Sequence, residues 1–268
     1  MLDEPDIVES VHRAYVDAGA RVLTLNAYSA TPERLARDAS ADLFEPLQKR
    51  AIELARRAVE GTDVRIGGCL SPLFGSYHPE DAPDFDTCLA TYRQVVAIQC
   101  EAVDLFICET LSAIREVKAA VAAATESGKP VICGMSVMDN DGTRLRSGES
   151  LGEAAEAARA AGATAVAVNC SWPEAVTQAL PDLAATGLAY GGWANGFSNA
   201  AGDLSLGGTV EAMGVRNDLG PEAYGDHAMT WVDAGATIVG GCCEVGPTHI
   251  AHLAKRLGDA GHTLSGDL

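Results

Sequence analysis

The chain has 268 residues, 47% hydrophobic and 5% aromatic, and its 37 acidic against 19 basic residues give a formal charge of −18. A field of that sign repels nucleic acid and anionic membrane surfaces, and no apolar run is long enough to span a bilayer. The acidic start Met1-Leu2-Asp3-Glu4-Pro5-Asp6 lacks the basic and apolar parts of a secretory signal, so a cytoplasmic protein is expected.

In chain order the apolar patterning predicts a helix over 6–19, a strand over 21–26, a largely helical stretch over 32–60 and a strand over 64–69. Helix 85–103 and strand 104–108 follow, then helix 111–127, strand 131–137, helix 151–161 and strand 164–169. The chain continues with helix 173–186, strand 188–193, helix 221–234, strand 237–240 and helix 248–257. In the first helix Ile7, Val8, Val11, Tyr15 and Val16 form a stripe expected to face a sheet. The strands are near-continuous apolar runs, as suits parallel strands covered on both faces.

Ala18-Gly19-Ala20, Ala161-Gly162-Ala163 and Ala234-Gly235-Ala236 form a weak internal repeat, each closing a helix and leading into a strand. No long linker divides the chain, so residues 1–268 read as a single α/β domain. Seven strands and eight helices, with a helix first, fit a (β/α)8 TIM-type barrel lacking its first strand. A doubly wound sheet is the competitor, but no Gly-x-Gly-x-x-Gly follows a first strand.

In such barrels functional groups gather at the C-terminal ends of the strands. Those ends carry Asn26, Cys69, Glu109, Ser136, Cys170, Asn195 and the pair Cys242-Cys243. Three thiolates from two strand ends can form an incomplete tetrahedral zinc site with its fourth position open, and thiolate ligands favour zinc over magnesium or calcium. The Gly240-Gly241 step would let the backbone turn sharply and bring both sulfurs of the pair to one ion. Buried structural cysteines are the competing reading. It holds well for an isolated residue such as Cys133 and poorly for a vicinal pair after two glycines. Spacing alone leaves both readings open.

The segments Val168-Asn169-Cys170-Ser171 and Val239-Gly240-Gly241-Cys242-Cys243, followed by Gly246-Pro247-Thr248-His249-Ile250, resemble the zinc signatures of the homocysteine S-methyltransferase family. Thr24-Leu25-Asn26-Ala27-Tyr28, Phe106-Ile107-Cys108-Glu109-Thr110 and Ala194-Asn195-Gly196 resemble it in the same order, so the likeness spans nearly the whole chain. The resemblance implies Zn²⁺ on Cys170, Cys242 and Cys243, Glu109 binding the amino group of homocysteine, and Asn195 and Asn26 near the substrate. It implies methyl transfer from a sulfonium or ammonium donor to the homocysteine thiol, giving methionine, with no catalytic residue beyond the zinc site. S-methylmethionine ranks first as donor, because that type resembles the motifs most closely, and betaine second; Trp172, Trp193 and Trp231 are too scattered to suggest a quaternary ammonium cage. A zinc-binding barrel that has lost catalysis is a further alternative. A Schiff-base lyase is disfavoured, because Lys118, Lys129 and Lys255 do not stand at strand ends.

Two departures from the family pattern bear on the fold and the site. The family's first strand, with its Asp-Gly-rich motif, has no counterpart, so the domain reads as N-terminally truncated relative to the family. The strands flanking that position would then expose unpaired edges, and a homo-oligomer is one way to cover them. The second departure is Glu244, which stands where the family often has a small residue.

Overall fold

A computed structural model describes residues 1–199 and 208–268. In chain order the elements are α1 (Pro5–Asp17), β1 (Val22–Thr24), α2 (Pro32–Asp38), α3 (Phe44–Val59), β2 (Arg65–Leu70), α4 (Phe85–Gln99), β3 (Leu105–Leu111), α5 (Ile114–Thr125) and β4 (Val131–Met135). Then come β5 (Val137–Met138), β6 (Asp141–Leu145), α6 (Leu151–Ala160), β7 (Ala165–Asn169), α7 (Pro173–Ala184), β8 (Ala189–Trp193), α8 (Pro221–Asp233), β9 (Ile238–Val239) and α9 (Pro247–Asp259).

The three Ala-Gly-Ala stops act as the sequence suggests. Gly19, Gly162 and Gly235 have φ of 100°, 101° and 98°, where a side chain is strained. Each glycine N–H and the next N–H turn back onto the last helical turn, as in Gly19 N to Val16 O at 3.0 Å and Ala20 N to Tyr15 O at 3.1 Å. The chain is thereby aimed from α1 into β1, from α6 into β7 and from α8 into β9.

Seven of the strands form one parallel sheet in the order β1-β2-β3-β4-β7-β8-β9, the curled sheet of a (β/α)8-type barrel. Phe106 and Cys108 of β3 face the main core between sheet and helices, which is rich in Ala, Val and Leu. The alternate residues Leu105 and Ile107 join Ile132, Ala165 and Ala167 in a smaller inner cluster. This placement of apolar groups on both faces explains the uninterrupted apolar strands. Among the described residues, no helix is long and apolar enough to cross a membrane.

Four features depart from the sequence reading. The stretch 32–60 is two helices, with a 3-10 turn at Ala41–Leu43 between α2 and α3. β5 and β6 form a separate antiparallel hairpin after β4, where no strand pair was expected. The helix expected from 111 begins at Ile114, because β3 runs on to Leu111. On α1, Ile7 and Val11 are 58% and 49% exposed rather than facing a sheet. The covered stripe is instead Val8, His12, Tyr15 and Val16, and α1 packs chiefly on α3.

β1 and β9 lie at the two ends of the sheet order and do not pair with each other. Between them a cavity of about 730 Å³ reaches the barrel interior at Ile107 and Ile132. The C-terminal tail lines its rim, with Asp267 paired to Arg65 at 2.8 Å.

Candidate metal centre and substrate pocket

Because the seven strands are parallel, their C-terminal ends share one rim. Asn169 of β7 stands opposite Trp193 of β8, and Gly192 stands opposite Val239 of β9. Cys170 therefore leaves β7 beside the segment that follows β8, and its N–H bonds to the Trp193 carbonyl at 3.0 Å. Cys242 N bonds to Ala194 O and Gly196 N to Cys243 O, both at 2.9 Å, so the pair is stitched to the Ala194-Asn195-Gly196 turn.

The Sγ atoms of Cys170, Cys242 and Cys243 all lie within 4.8 Å of one another. Cys170 Sγ is 3.9 Å from Cys243 Sγ, and Cys242 Sγ is 4.0 Å from Cys243 Sγ. Sulfurs about 2.3 Å from a tetrahedral zinc stand roughly 3.8 Å apart, so the spacing fits three corners of such a site. The sharp turn expected at Gly240-Gly241 falls elsewhere. Neither glycine has positive φ, and the left-handed residue is Glu244 at φ 65°. Gly241 is required for closeness instead, since a Cβ there would come within 2.1 Å of Val245 Cγ1.

Glu109 is aimed by a different device. The β3–β4 register shifts between Cys108 and Leu111, and Thr110 takes φ 62°. Asn169 holds that bulge: its Oδ1 accepts from Thr110 N at 2.8 Å and its Nδ2 donates to Thr110 Oγ1 at 3.0 Å. To do so it passes over β4 at Gly134, where a Cβ would lie 2.9 Å from Asn169 Oδ1. The half-buried Glu109 accepts a hydrogen bond from the Cys69 thiol at 3.1 Å and lines the same cavity as Cys242.

Asn195 is buried, donates to Cys170 Sγ at 3.8 Å and accepts from Phe197 N at 3.2 Å, so it both closes a turn and faces a sulfur. Asn26 is exposed in the bend after β1 and does not line the cavity that holds Glu109 and Cys242. The tryptophans are dispersed. Trp231 packs edge-on against Tyr224, Trp193 joins the inner cluster, and the Arg216 guanidinium lies 5.6 Å over the Trp172 ring.

Three residues that sequence reasoning did not single out complete the site. Tyr77 Oη lies 2.8 Å from Cys170 Sγ. Arg146 stacks over the Tyr77 ring at 4.5 Å and donates to the Cys170 carbonyl at 3.3 Å. Asp139 pairs with Arg146 at 3.1 Å and accepts from Trp172 N at 3.0 Å.

The family model described as Homocysteine S-methyltransferase matches residues 1–257. The chain belongs to the homocysteine S-methyltransferase family. It is similar to Homocysteine S-methyltransferase 1 of Arabidopsis thaliana, at 25% identity over 96% of this chain and 85% of the relative. It is also 25% identical to the selenocysteine Se-methyltransferase of Brassica oleracea var. italica, over 96% of this chain and 81% of the relative. Among solved structures, the metallated form of the homocysteine methyltransferase MmuM from Escherichia coli superposes with a TM-score of 0.76 at 25% identity, covering 94% of this chain and 85% of that one. The protein is thus a barrel methyltransferase of the homocysteine S-methyltransferase family.

The charge state of this methyltransferase's site follows from its packing. Hydrogen bonds from Cys242 and Cys243 hold the Cys170 thiol well below the usual range. The bonds given to Cys170 push Cys242 and Cys243 up, with burial adding to the effect. A metal that takes all three sulfurs as thiolates must displace the protons they still carry. Burial pushes Glu109 up to about 7, opposed by the Cys69 hydrogen bond and reinforced by the charge on Cys170. In metal-free protein the Glu109 carboxyl should titrate near that value, followed by carbon-13 NMR of the side-chain carboxyls. Cys69→Ala removes a bond that favours the ionised form, so it should move this midpoint upward; a midpoint near 4.5 in both proteins would refute this account.

Proposed function

We propose that this protein transfers the methyl group of a sulfonium or ammonium donor, with S-methylmethionine first and betaine second, to the thiol of homocysteine to give methionine. Cys170, Cys242 and Cys243 hold the zinc that prepares the acceptor. The observation that carries this reading is the triangle of sulfurs, which is spaced for one ion and built from two strand ends. Bound there, zinc supplies the acidity that strips the thiol proton of the acceptor at neutral pH. A thiol is otherwise mostly protonated there, with a reference pKa of about 8.5.

The chain's own residues orient and attract. The Glu109 carboxylate faces the pocket and binds the ammonium group of homocysteine, while Cys69 keeps it turned that way. Asn195 fixes the Cys170 sulfur, whereas Asn26, exposed and outside that cavity, is given no substrate contact. Glu109 and the exposed Glu244 give the mouth the sign that draws in a cationic donor. The donor leaves as a neutral sulfide or amine, so no side chain has to supply a proton. Holding two substrates in line accounts for most of the remaining rate.

Purified protein should hold about one zinc per chain. Cys170→Ala and Cys242→Ala should each lose most of it by elemental analysis; full retention in both would remove the site. Glu109→Ala should raise the KM for homocysteine by about 10- to 100-fold, the loss expected for one charge-assisted hydrogen bond, with zinc unchanged. Parallel loss of zinc in that variant would make Glu109 a metal ligand or a structural residue.

We further propose that the opening between β1 and β9 is the place of an eighth parallel strand, supplied by an N-terminal extension or covered by a second copy of the chain. The observation behind this is that, among the described residues, neither edge has a strand partner beside a cavity that enters the barrel. Joining an Asp-Gly-rich strand ahead of Met1 should raise both the melting temperature and the rate of methionine formation. A short form that is monomeric, equally stable and equally active would end this proposal.

A further inference from the structure

Cys170 differs from its two partners in how firmly the protein grips it. Cys242 and Cys243 sit in an exposed-edge turn and are half-buried, whereas Cys170 is 3% exposed and held at φ 50°. Its carbonyl is taken by Arg146, and its sulfur has the Tyr77 hydroxyl at hydrogen-bond distance. Tyr77 comes from the loop after β2 and Arg146 from the turn after β6, so two separate segments converge on one sulfur ligand.

The chemistry of that convergence is directional. A sulfur bonded to a metal carries no proton, so the Tyr77 phenol can only donate to it, and donation to a charged sulfur is stronger than a neutral bond. Arg146 lies against the other side of the same phenol, as a cation over its ring, and draws electron density from it. Asp139 keeps the guanidinium in place through two bonds of 3.1 and 3.2 Å, and both side chains of the pair are almost wholly buried. Arg146 Nε also donates to Ser136 Oγ at 2.8 Å, which leaves it little freedom to leave the ring. Among the described residues no phenol donates to Cys242 or Cys243, whose sulfurs stand within hydrogen-bond reach of the other cysteines.

We propose that Tyr77, polarised by Arg146, is a positioning residue that draws charge from the Cys170 sulfur and makes it the weakest donor of the three metal ligands. An uneven ligand set leaves the ion more electron-poor than three equal thiolates would, which favours a fourth, substrate sulfur at the open position. The proposal rests on the reading of the three cysteines as a metal site.

The test uses full-length protein loaded with cobalt(II), whose sulfur-to-metal charge-transfer band reports thiolate donor strength. Tyr77→Phe keeps the ring and the stacked guanidinium but removes the hydroxyl. It should still bind one equivalent of cobalt, with the band moved to longer wavelength. Arg146→Lys should move the band in the same direction by a smaller amount. Tyr92→Phe is the control: it removes a buried hydroxyl that donates to the Ser71 carbonyl, and the band should stay where it is. A Tyr77→Phe spectrum that superposes on the wild type, or shifts to shorter wavelength, overturns the proposal. So does loss of cobalt in Tyr77→Phe alone, which would make the hydroxyl a ligand or a structural support. Wild-type protein that takes up neither cobalt nor zinc overturns the metal reading itself, and this proposal with it.

Discussion

The bond pair between Asn169 and Thr110 joins what would otherwise be two separate sites. Asn169 is the last residue of β7 and directly precedes Cys170, whereas Thr110 directly follows Glu109 on β3. The two strands are not neighbours, since β4 runs between them. The amide can cross because Gly134 leaves no side chain in its path. One buried amide thus sets the distance between the sulfur cluster and the carboxylate, and with it the length of molecule that fits between them. Leaving either group of this buried pair unmatched would cost about 1–3 kcal/mol, enough to matter for a protein of ordinary stability.

Backbone strain is concentrated at the same rim. The non-glycine residues with positive φ among those described are Tyr77, Thr110, Cys170 and Glu244. Each is a site residue or adjoins one. Left-handed backbone costs an L-residue roughly 1–2 kcal/mol, so four such positions persist only where the surrounding bonds overdetermine them. At Thr110 the holder is Asn169, at Cys170 it is Arg146 together with the Trp193 carbonyl, and at Glu244 it is the turn closed by Val245 N on Cys242 O. The three cysteines and the carboxylate are therefore presented by backbone held in place by the surrounding bonds.

This pattern explains what was legible in the sequence. The apolar runs and their glycine stops reveal the strands, and strand ends reveal Cys170, Cys242, Cys243, Glu109 and Asn195, because in a parallel sheet position along a strand is position in space. Tyr77, Arg146 and Asp139 escape that logic. They lie in loops and in a short hairpin whose sequence, Val137 to Leu145, is largely polar and has no period to read. Asn169 was visible only as the end of an apolar strand, since its partner lies two strands away. The face of α1 was misjudged for a simpler reason. Its apolar residues support two overlapping stripes, and packing on α3 selects the one through His12 while leaving Ile7 and Val11 in water.

The open seam between β1 and β9 also bears on how the molecule assembles. Every pairing in the main sheet joins strands that follow one another along the chain, once the β5–β6 hairpin is set aside. Among the described residues no ladder joins the first strand to the last, so these seven strands pair without the large loop-closure entropy of a sealed barrel. The two ends meet through lighter contacts instead, such as the Tyr15 hydroxyl on the Val245 carbonyl and the tail's Asp267 on Arg65. Growth can then proceed unit by unit, as in a solenoid, and the terminal units are the ones that open most cheaply. Since Cys242 and Cys243 belong to the last unit, amide exchange there reports on the cysteine cluster and the seam together.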